Sequence, residues 1–236
     1  MGLSKVMKRR QQQCSFFKSL PQDLVVEIVA SVSASSLSDL SNMKLLCKDM
    51  HEAATDNYVF RHASIEALLT IEWRISSQAS SFLKQCEASG NPDALFRRGM
   101  IEYFSKVHIE FGVDLLKKAA DCGHLEANYV LGIILISGQT STSVGMKLLK
   151  KLENMKNTEA HRCQTRTKKI LREIWINAII PRRESTCIDP NCKNGGLRGL
   201  PRVGEWSWSD QEESFCSQVC KWNYELNLFC TALIGV

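Results

Sequence analysis

The sequence has few of the features that place a protein in or across a membrane. Its longest apolar run is "YVLGIILI", residues 129–136, whereas a membrane-spanning helix needs about 20 residues. The first residues, "MGLSKVMKRRQQQ", have no apolar core, so no signal peptide is expected. Val6 stands where a myristoylation signal requires Ser or Thr. We therefore expect an intracellular protein, in the nucleus, the cytoplasm or both.

Motifs of common enzyme active sites are also missing. The sequence has no Gly-rich phosphate loop, nucleophile elbow, paired-carboxylate site or HExxH helix. Its last histidine is His161, so the cysteines beyond that point have no neighbouring imidazole in sequence to activate them. We therefore expect a protein that is not an enzyme. The alternative from the enzyme class is a thiol-dependent activity at Cys216 or Cys220, which requires a cysteine of low pKa.

Positive charge is concentrated near the N-terminus. The formal net charge is +5, and residues 1–18 carry five Lys or Arg and no acid, so the remainder is neutral. We interpret residues 1–18 as a basic disordered leader, with a nuclear import signal or an acidic partner as alternatives. Residues 147–184 hold eleven Lys or Arg against four Glu. No stacking aromatics alternate with these charges, so a solvated helix face is favoured over nucleic-acid binding.

Residues 19–62 have the pattern of three short helices. A helix starts after Ser19 and Pro21, because proline is tolerated in a first turn, and it ends at the Ser-rich break "SASS". A shorter helix is expected near Leu37–Leu40 and a longer one over Met43–Ala54. In the third helix we expect Leu45, Leu46 and Met50 to face inward. Helices this short bury their apolar faces only against each other or against a partner.

This segment resembles an F-box. The family has a Leu-Pro start, a Leu-rich second helix, a Leu-x-Cys-Lys type segment and an aromatic-containing end, and here Leu46-Cys47-Lys48 and Asp56–Phe60 stand in that order. The departure is Met50-His51, where many F-boxes have Trp or Phe. The resemblance implies that apolar side chains contact a Skp-type adaptor. These are Leu20, Pro21, Leu24, Ile28, Leu37 and Leu40.

The region 63–180 contains an internal repeat. Residues 94–126 align with 127–159 at a period of 33 residues, with nine identical positions. Gly99 aligns with Gly132, and the run "LLKK" at 115–118 aligns with the same run at 148–151. Each unit reads as two helices, with a glycine in the first that allows close helix contact. Two units are fewer than a solenoid needs, so helices in the flanking segments are expected to act as caps.

The stretch "LLKKAADCGHLEANYVLGIILISG", residues 115–138, resembles the Sel-type subclass of tetratricopeptide-like repeats. The resemblance implies a short α-solenoid of helical hairpins and a structural role for His124 in the turn. In the flanks we expect residues 63–88 to be helical. We also expect a last helix over 158–180, with a basic face at Arg162, Arg166 and Lys169. Its apolar face would comprise Cys163, Thr167, Ile170, Leu171, Ile174, Trp175, Ala178 and Ile179.

Ten cysteines are present, and five lie in the last 50 residues. Clustered cysteines in an intracellular protein indicate metal binding or catalysis rather than disulfides. Cys187 and Cys192 form one local pair, and Cys216 and Cys220 form another after 23 residues. Four thiolates in two local pairs are what tetrahedral zinc requires. A metal-free structural cluster and a redox or nucleophilic thiol remain as alternatives. Ser217 is expected to cap a helix that runs through Trp222 and Leu226.

Residues 187–230 resemble the MYND-type zinc finger, a module that follows an F-box and a Sel-type region in some plant F-box proteins. The intact family binds two zinc ions. Cys187 and Cys192 match its first pair, and Phe215–Cys220, "FCSQVC", matches the pair that completes the same site. The intermediate cysteine pair and the histidine of the second site are missing. The resemblance therefore implies one zinc ion, with Cys230 free or packed.

Together these patterns predict a mainly α protein. It would comprise the leader 1–18, an F-box of three helices at 19–62, a helical repeat region at 63–180 and a zinc-knuckle module at 187–230. The F-box resemblance implies a substrate-receptor subunit of a Skp–cullin–F-box ubiquitin ligase. Its partners would be a Skp-type adaptor, cullin through that adaptor, and a target protein that the sequence does not identify. The alternative is a protein-interaction scaffold without a ligase.

Overall fold

The computed structural model describes residues 19–68, 76–138, 141–153, 157–182, 187–189, 191–192 and 215–234. The predicted leader 1–18 lies outside these ranges. Within them every regular element is helical and no strand occurs, in agreement with the predicted mainly α class. None of the helices in these ranges is long and apolar enough to cross a membrane. The chain divides into two compact units, Met1–Ala94 and Leu95–Val236.

The described residues of the first unit form five helices: α1 (Gln22–Ser35), α2 (Leu37–Lys44), α3 (Lys48–Ala53), α4 (Asn57–His62) and α5 (Ser77–Ala88). Ser36 separates the first two, because its extended backbone ends α1 and its side chain accepts a hydrogen bond from the Asp39 amide at the start of α2. Side chains such as Val29 and Met50 form the core between α1, α3 and α4. Capping therefore determines where the short helices begin, and apolar packing holds them together.

Three expectations for this unit are wrong. Residues 19–62 form four helices rather than three, because Asp56 caps a separate helix, α4. Leu45 and Leu46 do not face inward; their exposed fractions are 76% and 42%. The reason is that α2 continues to Lys44 and α3 begins only at Lys48, so both leucines lie in a turn rather than on a helix face. Residues 63–68 are not helical either, and the helix expected in this flank begins at Ser77. Met50 is buried as expected.

The second unit contains the repeat. After α6 (Pro92–Met100) and a π-helix (Ile101–Ser105) come α7 (Ile109–Asp121), α8 (Leu125–Ser137), α9 (Thr142–Glu153) and α10 (Asn157–Glu173). A last helix, α11 (Gln218–Ile234), follows the cysteine region. The helices α6, α8 and α10 are the first helices of three successive units at the 33-residue period, and α7 and α9 are the second helices of two of them.

Equivalent residues of the two repeat units, 94–126 and 127–159, make equivalent contacts. A Cβ placed on Gly99 would lie 2.9 Å from Leu116 and 3.2 Å from the Gly112 carbonyl oxygen. A Cβ on Gly132 would lie 2.7 Å from Leu149 and 3.3 Å from the Gly145 carbonyl oxygen. Each residue of the first set has its counterpart in the second set 33 residues later in the sequence. The two helices of each hairpin therefore approach through the same pair of glycines, which agrees with the role expected for the glycine of the first helix.

The turn that precedes the first helix of each repeat unit is also repeated. Gly90 and Gly123, 33 residues apart, have φ angles of +77° and +84°, a conformation that favours glycine. The next residue then caps the first helix: Asn91 Oδ1 accepts a hydrogen bond from the Ala94 amide, and His124 Nδ1 accepts one from the Ala127 amide. His124 therefore has a capping role, as the repeat resemblance implied.

The π-helix ends in an unusual turn around Glu102. Val107 adopts a left-handed backbone with φ +61°, which is unfavourable for a β-branched residue. The His108 amide donates to the Glu102 carbonyl oxygen at 2.8 Å, and the His108 ring contacts the Glu102 carboxylate at 2.7 Å. Arg98 and Lys106 also contact this buried carboxylate, at 2.7 and 3.3 Å. These contacts hold the turn that leads into α7.

The segment after α10 differs from the expected continuous helix. Helix α10 ends at Glu173, and residues 175–182 have no regular secondary structure; we call residues 174–182 the strap. The expected apolar face is accordingly interrupted, because Trp175 and Ile179 are 68% and 70% exposed, although Leu171 and Ile174 are buried. The reason is tertiary: the amides of Asn177 and Ala178 donate to the Phe104 carbonyl oxygen at 2.7 and 3.0 Å, outside any helix.

Candidate metal centre and adaptor surface

Four cysteines that are far apart in sequence meet at the start of α11. The sulfur atoms of Cys187, Cys192, Cys216 and Cys220 all lie within 4.8 Å of one another. Two of these separations are 3.4 Å, for Cys187–Cys216, and 3.3 Å, for Cys216–Cys220. Four sulfurs at about 2.3 Å from a common zinc ion would lie about 3.8 Å apart. The four thiols therefore form a cluster of the size and chemistry that suits a tetrahedral zinc ion.

The first pair is held by a turn at Asp189. The Asp189 carboxylate accepts a hydrogen bond from the Asn191 amide at 2.9 Å, and its carbonyl oxygen accepts one from the Cys192 amide at 3.2 Å. An Asp side chain that accepts a bond from the amide two residues later is a common way to form a turn. Asp189 is not among the residues expected at this site, although the run Asp-Pro-Asn is a turn signal in the sequence. This turn brings Cys192 back towards Cys187.

The second pair begins helix α11. The Ser217 hydroxyl accepts a hydrogen bond from the Cys220 amide at 3.2 Å, so Ser217 caps the helix as predicted. The Cys216 amide in turn points at the Cys192 sulfur, 3.4 Å away. Phe215 packs against Tyr224, which lies on α11, and the two ring centres are 5.6 Å apart. A helix N-terminus favours negative charge, so thiolates at this position are stabilised.

Without a cation the clustered thiols resist ionisation. The pKa of Cys216 is raised to about 12, because its sulfur lies beside those of Cys220, Cys187 and Cys192. The pKa of Cys187 is also raised: a backbone hydrogen bond at Asp189 lowers it, but partial loss of solvent and the neighbouring thiols outweigh that contribution. A divalent metal reverses the situation, since a coordinating thiol loses its proton.

Cys230 lies apart from the cluster and is packed in the core. It is fully buried, and its thiol donates to the Ile180 carbonyl oxygen at 3.4 Å. Burial raises its pKa to about 11. This placement agrees with the expectation that Cys230 is free or packed. Pro190 and residues 193–214, which complete the connection between the two cysteine pairs, lie outside the described residues.

The residues implied in adaptor binding lie at the start of the first unit. Leu24 and Ile28, one turn apart on α1, have exposed fractions of 45% and 39%. Pro21 is exposed, and Leu20 and Leu37 are half-buried. Leu40 differs, because it is 2% exposed and belongs to the core of the unit. An apolar surface is therefore present on α1, whereas Leu40 supports it from within.

The basic face expected on α10 is divided. Arg162 and Lys169 are exposed, but Arg166 Nη1 contacts the buried Glu126 carboxylate at 3.1 Å. Glu126 lies on α8, so this charge pair joins the first helices of two neighbouring repeat units. Arg166 therefore contributes to packing within the second unit, which leaves fewer cations for a partner.

Comparison with known proteins identifies a family of repeats that matches this chain. Plant tetratrico peptide repeats, as a family, match residues 66–172. This match covers most of the region in which the sequence predicted helical repeats. No solved structure matches the chain.

Several Arabidopsis thaliana proteins are similar to the chain. One, provisionally named F-box protein At1g67623, is 31% identical over 197 residues, which are 80% of this chain and 66% of that protein. F-box protein At2g35280 is 31% identical over 147 residues, 62% of this chain and 89% of that protein. F-box protein At5g50450 is 30% identical, but the match covers only 40% of its length. The chain thus spans just under two thirds of the first relative and most of the second, and it belongs to the F-box protein family.

Proposed function

We propose that the protein is the substrate-receptor subunit of a Skp–cullin–F-box ubiquitin ligase. The observation that carries the proposal is the apolar surface of α1, where Leu24 and Ile28 are exposed within the segment that has the F-box pattern. Membership of the F-box family supports this assignment. Residues 19–62 form the F-box and bind a Skp-type adaptor, which connects the protein to cullin. The protein itself is not catalytic.

The adaptor surface consists of side chains that α1 and α2 present, with Leu20 and Pro21 at its edge. Large apolar side chains on a monomer surface mark contact sites when they lie together. Leu24 and Ile28 are four residues apart and therefore lie on one helix face. Leu37 completes this surface, and the buried Leu40 holds α2 in place. Leu45 and Leu46 add further exposed apolar area in the turn after α2.

The remainder of the chain holds the target protein. Residues 63–180 are a Sel-type repeat region, and residues 187–230 are a MYND-like module with one zinc ion bound by Cys187, Cys192, Cys216 and Cys220. When bound, zinc supplies a structural crosslink between the segment that carries Cys187 and Cys192 and the start of α11. The ligase works through proximity: the receptor raises the local concentration of the target's lysines at the ubiquitin-conjugating enzyme.

The experiment that tests this proposal is retention of a purified Skp-type adaptor on the full-length protein. Leu24→Asp combined with Ile28→Asp removes two apolar contacts worth about 1.5–3 kcal/mol each. We therefore expect adaptor binding to weaken by at least about a hundredfold. Val144→Asp is the matched control, since Val144 is 51% exposed on α9 in the other unit. Adaptor binding that survives the double substitution would refute the α1 surface, and an adaptor that never binds the wild type would favour a scaffold without a ligase.

A further inference from the structure

The second half of helix α11 is enclosed on every side. Its seven consecutive residues from Glu225 to Thr231 are all buried. Seven residues are nearly two turns of an α-helix, so the whole circumference is covered at this level. Trp222, Leu226 and Phe229 have exposed fractions of 1% or less. The helix that begins at the cysteine cluster is therefore a core element of the second unit, and the proposed MYND-like module shares its core with the repeat.

One side of α11 is covered by the first helices of the repeat. Glu225 accepts a hydrogen bond from the Tyr129 hydroxyl on α8 at 2.6 Å and another from the Gln164 amide on α10. Phe229 contacts Phe104 of the π-helix that extends α6, with ring centres 6.0 Å apart. Helical-repeat proteins use extended surfaces of this kind to bind partners. Here the chain's own helix fills the surface.

The strap covers α11 from another direction. The Ile180 carbonyl oxygen accepts from the Cys230 thiol, and Arg182 Nη2 donates to the Thr231 hydroxyl at 3.2 Å. The strap is itself attached to the repeat through the hydrogen bonds that the Phe104 carbonyl oxygen accepts. Thus α11 lies between the strap and the first helices of the repeat units.

Glu225 determines the position of α11 along this surface. A buried carboxylate is costly unless it is hydrogen-bonded, and Glu225 has partners on two different helices, α8 and α10. Sliding α11 by one residue would leave the charge without them. Cys220 lies five residues earlier on the same helix, about 7.5 Å along its axis. Placing Glu225 therefore also places Cys220.

The cysteine cluster joins the strap to α11. Cys187 and Cys192 follow the strap in sequence, whereas Cys216 and Cys220 begin α11, so one ion would connect the end of the strap to the start of the helix. We propose that metal binding at this cluster is coupled to closure of the repeat surface by α11. In the metal-bound protein the surface formed by α6, α8 and α10 is closed, so the target that the repeat and cysteine regions hold binds outside this surface. Loss of the metal frees α11 and opens that surface.

This inference rests on the proposed zinc site. Hydrogen exchange of the full chain distinguishes zinc binding alone from zinc binding that is coupled to the docking of α11. With zinc at a thousand times its Kd, complete coupling makes opening about a thousandfold rarer than in the chelated protein. We expect chelation to accelerate amide exchange in α11 and also in α8 (Leu125–Ser137), which it covers, and to leave α1 (Gln22–Ser35) unchanged. Faster exchange confined to residues 215–220, or equal acceleration in α1, would overturn the coupling.

Zinc content measured on the same samples separates the two failures. Absence of stoichiometric zinc would remove both the proposed site and the coupling. Bound zinc with α8 unaffected by chelation would remove the coupling alone.

The reciprocal experiment perturbs the repeat and measures zinc. Coupled equilibria are symmetric, so a change that weakens α11 docking must weaken zinc binding. Tyr129→Phe removes the hydroxyl that Glu225 contacts without touching the cluster, and we expect zinc affinity in a chelator competition to fall about fivefold. Tyr103→Phe is the matched control, because Tyr103 is also buried but packs at the Gly112 approach. Equal zinc affinity in both variants would contradict the coupling.

Discussion

The close approach of α8 and α9 offers a sharp test of the repeat packing. A Cβ on Gly145 would lie 2.9 Å from the Gly132 carbonyl oxygen, 3.0 Å from the Ile136 amide nitrogen and 2.8 Å from the Ile136 Cγ2 atom. Carbon atoms pack best at about 3.5–4.0 Å. Because two of the three contacts are with backbone, no rotamer change relieves them. Gly145→Ala therefore forces the two helices apart.

The expected magnitude follows from two opposed contributions. Replacing glycine with alanine inside a helix stabilises it by about 1 kcal/mol. Overpacking a rigid contact costs about 1–3 kcal/mol, and moving α9 also loosens the contact of Leu149 with Gly132. Because two of the three contacts are with rigid backbone, the cost lies in the upper part of that range, about 2–3 kcal/mol. We therefore expect a net loss of about 1–2 kcal/mol in the free energy of unfolding, which lowers Tm by about 2–8 °C for a chain of this size.

Thermal and urea unfolding of two companion variants make the result interpretable. Gly138→Ala is the matched control, since a Cβ there would meet only the Leu135 carbonyl oxygen at 3.7 Å, an ordinary contact. Gly132→Ala should be intermediate, because its Cβ would meet mainly the Leu149 side chain. The expected order of destabilisation is Gly145, then Gly132, then Gly138. A Gly145→Ala protein as stable as the wild type would refute the close-approach reasoning.

Two further predictions concern charge and metal. Cys220→Ser should abolish stoichiometric zinc in elemental analysis of the purified protein, whereas Cys122→Ser, an exposed cysteine outside the cluster, should retain it; a zinc-free wild type would contradict the site. Burial raises the pKa of Glu102, but the hydrogen bond with His108 and the charges of Arg98 and Lys106 outweigh it, so the pKa lies below its ordinary 4.5. The charged form therefore stabilises the fold above about pH 4.5, and this contribution disappears as the pH falls through the lowered pKa. Glu102→Gln should cost about 2 kcal/mol at neutral pH, and its stability should approach that of the wild type in acid; a constant gap down to pH 3 would contradict this account.

Local patterns in the sequence were sufficient for the helical class and the repeat. The 33-residue period and its glycines predicted close hairpins, and the structure places those glycines against each other. The pattern also extends to Gly90 and Asn91, before the predicted start of the first unit, because the turn and the cap recur together with the helices. Such features are encoded within one or two turns of chain, so sequence alone determines them.

Helix ends and side-chain directions were less predictable. Leu45 and Leu46 were expected inward because they follow the apolar spacing of a continuous helix, yet a turn at the end of α2 rotates both towards solvent. Trp175 was expected on a helix face, but hydrogen bonds from Asn177 and Ala178 to Phe104 hold this segment as a strap. In each case a contact or a turn ends a helix that the local pattern would have continued.

The cysteine cluster depends both on local sequence spacing and on the tertiary structure. Spacing alone selected Cys187, Cys192, Cys216 and Cys220, because two local pairs of thiols are recognisable in any sequence, and the fold brings all four sulfurs within 4.8 Å of one another. The position of α11 was not recognisable in this way. One of its polar contacts joins Tyr129 and Glu225, 96 positions apart, and the only local sign is that Glu225 is the single charged residue between Trp222 and Ile234.

The sequence by itself thus determined the helices, the repeat and the candidate zinc ligands, since each depends on neighbours along the chain. Only the tertiary structure decided that α11 fills the surface formed by the first helices of the repeat. That choice depends on which apolar faces meet and on a buried carboxylate finding partners on two separate helices, and neither is encoded in local spacing.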